Sequence, residues 1–114
     1  MCIKMEKEII RINEELGGKI VRGNSLSWAC DKVKEENNVF KKNAYLIRAI
    51  VIDHPFTDMN KSTATIISLR NFKLNNIKCN EDLLLLNIKR IVKKNITDIK
   101  IIERVLRRCC QKKK

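Results

Sequence analysis

Phe40-Lys41-Lys42-Asn43-Ala44-Tyr45-Leu46-Ile47-Arg48-Ala49-Ile50-Val51-Ile52 is the stretch on which the fold turns. Eight of the nine residues from Ala44 to Ile52 are apolar, with Arg48 the exception. Periodicity alone does not separate a buried helix from a buried strand in such a run. Length favours helix, because Lys41-Lys42-Asn43 extend the segment without a break. A helix that is apolar on every side belongs at the centre of a bundle. Pro55 disfavours helical geometry at His54 and removes a donor, so the helix ends there.

Outward from this centre the chain reads as more helices. Met5, Ile9, Ile12 and Leu16 form one helical stripe, with Glu6, Lys7, Glu14 and Glu15 off it. Gly17-Gly18 ends that helix in the manner of a left-handed cap. Residues 19–24 read as a connector. Ser25 is placed to cap a second helix with Leu26, Ala29, Cys30 and Val33 inward, stopped by Asn37-Asn38. Beyond the proline, Asp58 is placed to cap a helix over about 59–72 that buries Ile66, Ile67, Leu69 and Phe72. Asn75-Asn76 reads as a turn. Asn80 caps the next helix, whose broad apolar face is Leu83 to Leu86, Ile88, Ile91 and Val92. Thr97 is placed to cap the last, with Ile99, Ile102, Val105, Leu106 and Cys109 inward and a favourable Glu103–Arg107 pair. The expectation is a compact all-α bundle of five to six helices in one domain over residues 1–114.

Composition agrees with one aliphatic core. The chain has 114 residues, against a usual size of roughly 100–200 per domain. Apolar residues make up 44% and aromatics 4%, so the core is built from aliphatic side chains. With one proline and three glycines, a turn-rich β-sandwich is disfavoured. The net charge of +12 attracts polyanions without choosing among them. The basic end, Arg107-Arg108-Cys109-Cys110-Gln111-Lys112-Lys113-Lys114, reads as solvated, with residues 109–114 disordered. Five cysteines include no C-x-x-C, and the one close pair is adjacent. Reduced thiols and a cytoplasmic location are the expectation. Cys30 and Cys79 read as small buried hydrophobes, and Trp28 as a packing anchor. MCIKMEKEII is too charged for a signal peptide, and no run approaches the ~20 apolar residues of a membrane span.

Several catalytic signatures are excluded. Gly17-Gly18-Lys19 is no P-loop, because Asn13 and Ile20 stand where that motif needs glycine and a hydroxyl residue. G-x-S-x-G and H-E-x-x-H are absent. The informative stretch is His54-Pro55-Phe56-Thr57-Asp58-Met59-Asn60-Lys61-Ser62-Thr63-Ala64. It sets a lone imidazole at the end of the buried helix, then a short loop, then a helix N-terminus. Such an N-terminus offers unpaired N–H groups and positive potential, a seat for phosphate. Asp58 there serves equally as an N-cap or as a hard oxygen ligand for Mg²⁺. Asn60, Lys61, Ser62 and Thr63 add hydrogen-bonding groups and a cation. An imidazole near its ordinary pKa of about 6.5 suits a general base, and the set outlines phosphoryl or nucleotidyl transfer.

HPFTDMNKSTA resembles the H-P-F-x-D-G-N-K-R-T-A signature of the Fic/Doc superfamily, nearest its death-on-curing (Doc) branch. Asn43 to Ile50 precedes it as that family's central helix does, and Asn71-Phe72-Lys73-Leu74-Asn75-Asn76-Ile77 follows like its helix end and turn. The likeness is specific over residues 43–77 and loose elsewhere. It implies a small all-α domain that moves AMP or phosphate from a Mg²⁺-bound nucleotide, typically ATP, to a protein hydroxyl. The Doc branch further implies a toxin, an elongation factor as target, and a separate antitoxin. By the resemblance, His54 is the base, Phe56 the apolar anchor of the loop, Asp58 the Mg²⁺ ligand and Asn60 part of an anion hole. Lys61 stands where the Doc branch has lysine, which favours phosphate transfer.

Two positions depart from the signature. Met59 stands at a small-residue position where phosphate oxygens approach the backbone. Ser62 stands at an arginine position, and a hydroxyl does not replace a guanidinium fork. Arg48 and Arg70, on neighbouring helices, are the candidate compensating cations. The only Glu followed by Gly or Asn is Glu36-Asn37, with Lys32 four residues earlier, so no inhibitory helix of the family's kind is read in this chain. Two rival readings stand beside the enzyme: a catalytically degenerate Fic-fold binding module, and a small basic nucleic-acid-binding protein. The last lacks a reading helix with interleaved aromatics, so nucleic acid is disfavoured as a partner.

Overall fold

A computed structural model describes residues 2–112. The elements run α1 (Cys2–Glu15), α2 (Asn24–Glu35), α3 (Val39–Val51), α4 (Asn60–Leu74), β1 (Ile77–Cys79), α5 (Glu81–Lys93), α6 (Ile99–Cys109) and β2 (Cys110–Lys112). The expected all-α bundle is present, with six helices. The central segment is helical, as its length requires. α3 packs against α2, α4 and α6 and touches α5. Eight of its 13 residues are buried, and Ala44, Leu46, Ile47, Ile50 and Val51 are wholly so. Burying each of the larger aliphatic side chains contributes roughly 1.5–3 kcal/mol, which makes α3 the chief source of cohesion.

One polar clasp interrupts this apolar centre. Asn43 is fully buried; its Nδ2 donates to the Ser68 carbonyl at 3.1 Å, and its Oδ1 accepts from Asn71 Nδ2 at 2.9 Å. A buried amide without such partners would be costly, so the clasp fixes the register of α3 on α4. One turn from this clasp, Phe40 meets Phe72 at 5.3 Å and carries the Arg107 guanidinium 4.5 Å above its ring. Arg107 is aligned by Glu103 at 2.9 Å, the expected one-turn pair.

The helix ends show which local rules hold. Gly17 sits at φ 100°, closing α1 as read from the sequence. Asn38 caps α3 and Asn80 caps α5. Three caps differ from expectation. α2 starts at Asn24, one residue before Ser25, with Gly23 at its cap and no side-chain bond. α6 is capped by Asp98, whose carboxylate accepts from Lys100 and Ile101 N–H, so Thr97 lies outside. α4 has Met59 at its cap, not Asp58. Its inner face also differs: Thr63, Ala64, Thr65, Ile67, Ser68, Asn71 and Phe72 are buried, while Ile66 and Leu69 are half-buried. The core takes polar and small residues there because α1 and α3 approach closely on both sides.

Further differences concern the C-terminal end and three side chains. Instead of a disordered end from residue 109, Cys109 closes α6 and β2 pairs antiparallel with β1; residues 113–114 lie outside the described residues. Leu83 and Leu86 of α5 are exposed, so the apolar face of that helix narrows to Leu84, Ile88 and Ile91. Cys79 is half-buried, while Cys30 is buried as read. Trp28 is 49% exposed and meets Tyr45 edge-on at 5.9 Å, so it lies at the surface. No helix among the described residues is long and apolar enough to cross a membrane.

Candidate active site

The loop of residues 52–59 leaves α3 and enters α4. It is stapled at three levels to the connector between α1 and α2. Val21 and Arg22 N–H donate to the Pro55 carbonyl at 2.8 and 3.2 Å. Phe56 bridges Ile20 in antiparallel fashion. Thr57 N–H donates to the Lys19 carbonyl at 2.8 Å, and Lys19 N–H donates back to Thr57 Oγ1 at 3.1 Å. Phe56 is buried, so it anchors the loop to the core as expected.

The loop is braced from inside by two amides. Asn60 Oδ1 accepts from Phe56 N–H at 3.3 Å, and its Nδ2 donates to the Phe56 carbonyl at 3.1 Å. The second N–H of that amide is left for another acceptor. Asn13, fully buried on α1, donates through Nδ2 to the Asp58 carbonyl at 2.8 Å and to Thr63 Oγ1 at 3.0 Å. Gly18 packs directly against this bond. A Cβ there would stand 2.3 Å from Asn13 Oδ1 and 2.7 Å from the Asp58 carbonyl.

Two left-handed residues shape the loop. His54 has φ 50° and Met59 has φ 62°. The other non-glycine residues at positive φ among those described are Asn76 and Asn95, a residue type that tolerates this region. Histidine is also enriched in this region, whereas methionine is not, so it is Met59 that costs about 1–2 kcal/mol relative to an ordinary conformation. The chain holds this strain because staples and braces on both sides fix the loop.

The imidazole of His54 and the carboxylate of Asp58 are both exposed. Asp58 Oδ1 accepts from Met59 N–H at 2.7 Å, which orients the carboxylate beside the start of α4. No side chain caps α4, so its first-turn N–H groups have no side-chain acceptor at the cap. Lys61 is exposed and Ser62 half-buried in that turn.

The two candidate arginines part company. Arg70 is ion-paired to Glu8 of α1. It also lies ten positions beyond Asn60, about 15 Å along the helix, and does not join the loop. Arg48 donates through Nε to the Thr97 carbonyl at 2.9 Å. It lines a surface cavity of about 270 Å³ with Trp28, Tyr45 and Asp53, the residue before His54.

Reading by sequence missed Asn13, Gly18, Lys19 and Arg22. Asn13 lies beside Ile9 and Ile12 on the inward stripe of α1, and a buried amide in an apolar stripe signals a polar partner. Lys19 and Arg22 are exposed, and their backbones touch the loop directly. For a metal, no cluster of three or more ligating side chains exists among the described residues. Mg²⁺ in phosphoryl transfer is held by one or two carboxylates, with phosphates and water completing its shell. Asp58 fits such a site. No family model matches the chain, and neither do curated proteins or solved structures.

Proposed function

We propose that the chain is a Doc-like, Fic-fold transferase that moves a phosphate or an AMP group from a Mg²⁺-nucleotide to a hydroxyl of another protein, acting as a toxin that a separate antitoxin holds in check. One observation carries the reading. Two left-handed residues, His54 and the strained Met59, bracket a loop that leads to a helix N-terminus with no side-chain cap. Backbone strain of this kind concentrates at working sites. Met59 is also the position where the Fic/Doc signature has glycine, the residue that a left-handed conformation favours.

The chemistry follows from the residues. His54 takes the proton of the target hydroxyl as its oxygen bonds to phosphorus. The bond to the leaving group then breaks, releasing ADP if phosphate moves or pyrophosphate if AMP moves. The first-turn N–H groups of α4 and Lys61 receive the charge on the phosphoryl oxygens. Asp58 would hold Mg²⁺, which supplies charge neutralisation between the phosphates. Lys19 and Arg22 add positive potential at the rim. Thermal unfolding with and without MgATP tests this directly. Binding at a hundredfold above Kd adds about 2.7 kcal/mol, a rise of several degrees in Tm. The Asp58→Ala variant loses most of that rise. An unchanged Tm with MgATP contradicts the proposal.

A second reading, the degenerate binding module, is favoured by the engagement of Arg70 with Glu8 and the neutral Ser62. These leave the loop without a guanidinium from α4. The double variant Met59→Gly/Ser62→Arg separates the two. If transfer appears only in that variant, the module reading stands; if the wild type already transfers, it falls.

A further inference from the structure

β1 and β2 form an antiparallel pair in which Cys79 stands opposite Cys110. The next backbone contact, Asn80 N–H to the Cys109 carbonyl at 3.3 Å, sets the phase of this ladder. Hydrogen-bonded and non-hydrogen-bonded positions alternate along antiparallel strands, so 79/110 is a non-hydrogen-bonded position. Opposed Cα atoms there lie about 4.5 Å apart, and their side chains share a face. That separation is inside the roughly 4.4–6.8 Å range a disulfide requires.

Cys109 neighbours Cys110 in the chain, but its thiol is engaged elsewhere. Cys109 Sγ takes a hydrogen bond from Asn87 Nδ2 at 3.3 Å and lies 3.4 Å from the Val105 carbonyl. Cys30 is buried on α2, far along the chain from this pair. Cys79 is half-buried, which leaves it reachable by a small reagent.

We propose that Cys79 and Cys110 are a reversible oxidation site, closed into a cross-strand disulfide by exchange with a small-molecule disulfide of the oxidised-glutathione type. This inference does not rest on the proposed transferase activity. The Cys79 thiolate attacks one sulfur of the small disulfide. A mixed disulfide forms and one small thiol leaves. Cys110 then attacks the Cys79 sulfur, and the second small thiol leaves. Two protein thiols are oxidised, one small disulfide is reduced, and the two protons pass to the departing thiolates. The division of labour follows first from exposure, Cys79 being half-buried and Cys110 buried. Donation from Cys110 holds the Cys79 thiol below the ordinary thiol range. The same bond, with burial and the charge at Cys79, holds Cys110 well above it. Cys79 is therefore the attacking group and Cys110 the resolving one. The closed bond ties β2 to the α4–α5 connection and encloses α5 and α6.

The test uses the reduced full chain in folded form, incubated with oxidised glutathione and then digested. Fragment-ion sequencing of the peptides finds Cys79 linked to Cys110 as the dominant product. The oxidised chain melts higher, by about 5 °C or more, and dithiothreitol reverses the shift. Cys110→Ser stops at a glutathione adduct on Cys79, whereas Cys79→Ser gives neither the bond nor an adduct at position 110. Differential alkylation of the wild type reads the same order without any variant: Cys79 reacts first. A dominant link from Cys79 to Cys2 or Cys109, a covalent dimer, or unreacted Cys79 under excess oxidised glutathione overturns the proposal.

Discussion

Asn13→Ala is the substitution that most directly probes how the loop is held. Asn13 is fully buried and donates to the Asp58 carbonyl at 2.8 Å and to Thr63 Oγ1 at 3.0 Å. Each buried hydrogen bond is worth about 0.5–1.5 kcal/mol net. The alanine variant loses both and leaves the Asp58 carbonyl without this partner. Thr63 Oγ1 keeps its own bond to the Met59 carbonyl at 2.7 Å, which limits the damage on that side. A partial offset comes from Asn13 Oδ1, which has no partner among the described residues and vanishes with the amide. The balance is a loss of about 2 kcal/mol, or roughly 8 °C in Tm. Urea unfolding measures it as a lower midpoint at unchanged slope. Asn13→Asp is worse, because it sets a carboxylate against the Asp58 carbonyl. Gly18→Ala acts on the same contact from the other side, with a Cβ 2.3 Å from Asn13 Oδ1. It destabilises by 1–3 kcal/mol as an overpacked site. In the double variant the two losses are not additive, since removing the amide relieves part of the clash. An Asn13→Ala midpoint indistinguishable from wild type refutes the reasoning.

Other outcomes follow from the same structure. Met59→Gly relieves a left-handed residue at φ 62° but adds freedom to the unfolded chain, so stability changes by no more than about 1 kcal/mol, upward if at all. Met59→Val at the same site loses more than about 1 kcal/mol, and calorimetry of the pair checks the difference. Ile47→Ala at the centre of α3 costs about 2–5 kcal/mol, whereas Leu86→Ala, 57% exposed on α5, stays within about 0.5 kcal/mol; denaturant titration compares them. For the thiols, alkylation of Cys79 turns on at lower pH than for an ordinary thiol of about 8.5, because donation from Cys110 favours the thiolate. Removing that donor by Cys110→Ala moves the midpoint of the rate–pH profile back up.

Much of the fold was legible because its core is organised by simple apolar stripes. Leu26, Ala29, Cys30 and Val33 face inward as their spacing requires, and so do Ile9, Ile12, Ile102 and Leu106. That a break follows the buried helix was legible from Pro55, although α3 already ends at Val51, three residues before His54. α4 was harder. Its inner face mixes Thr63, Thr65, Ser68 and Asn71 with Ile67 and Phe72, so apolar periodicity points partly to the wrong residues. Caps failed where two polar residues stood within reach, as with Thr97 and Asp98, because only the chain's entry angle decides between them. The site divides the same way. Residues of the motif itself could be named from sequence, including Phe56, which is buried as required. Its supports could not: Asn13, Lys19 and Arg22 reach the loop from 30 or more residues away in the chain. The β1–β2 pair, three residues a side, left no readable pattern and depends on how α6 returns to the end of α4.

The most direct test of the central claim is transfer of labelled phosphate. Purified protein is mixed with Mg²⁺, γ-labelled and α-labelled ATP in parallel, and a cell extract. The account predicts a labelled acceptor protein with one of the two nucleotides for the wild type, and none for His54→Ala, whose melting temperature stays near that of the wild type because His54 is exposed. Equal labelling by wild type and His54→Ala, or no labelled acceptor with either nucleotide, contradicts it.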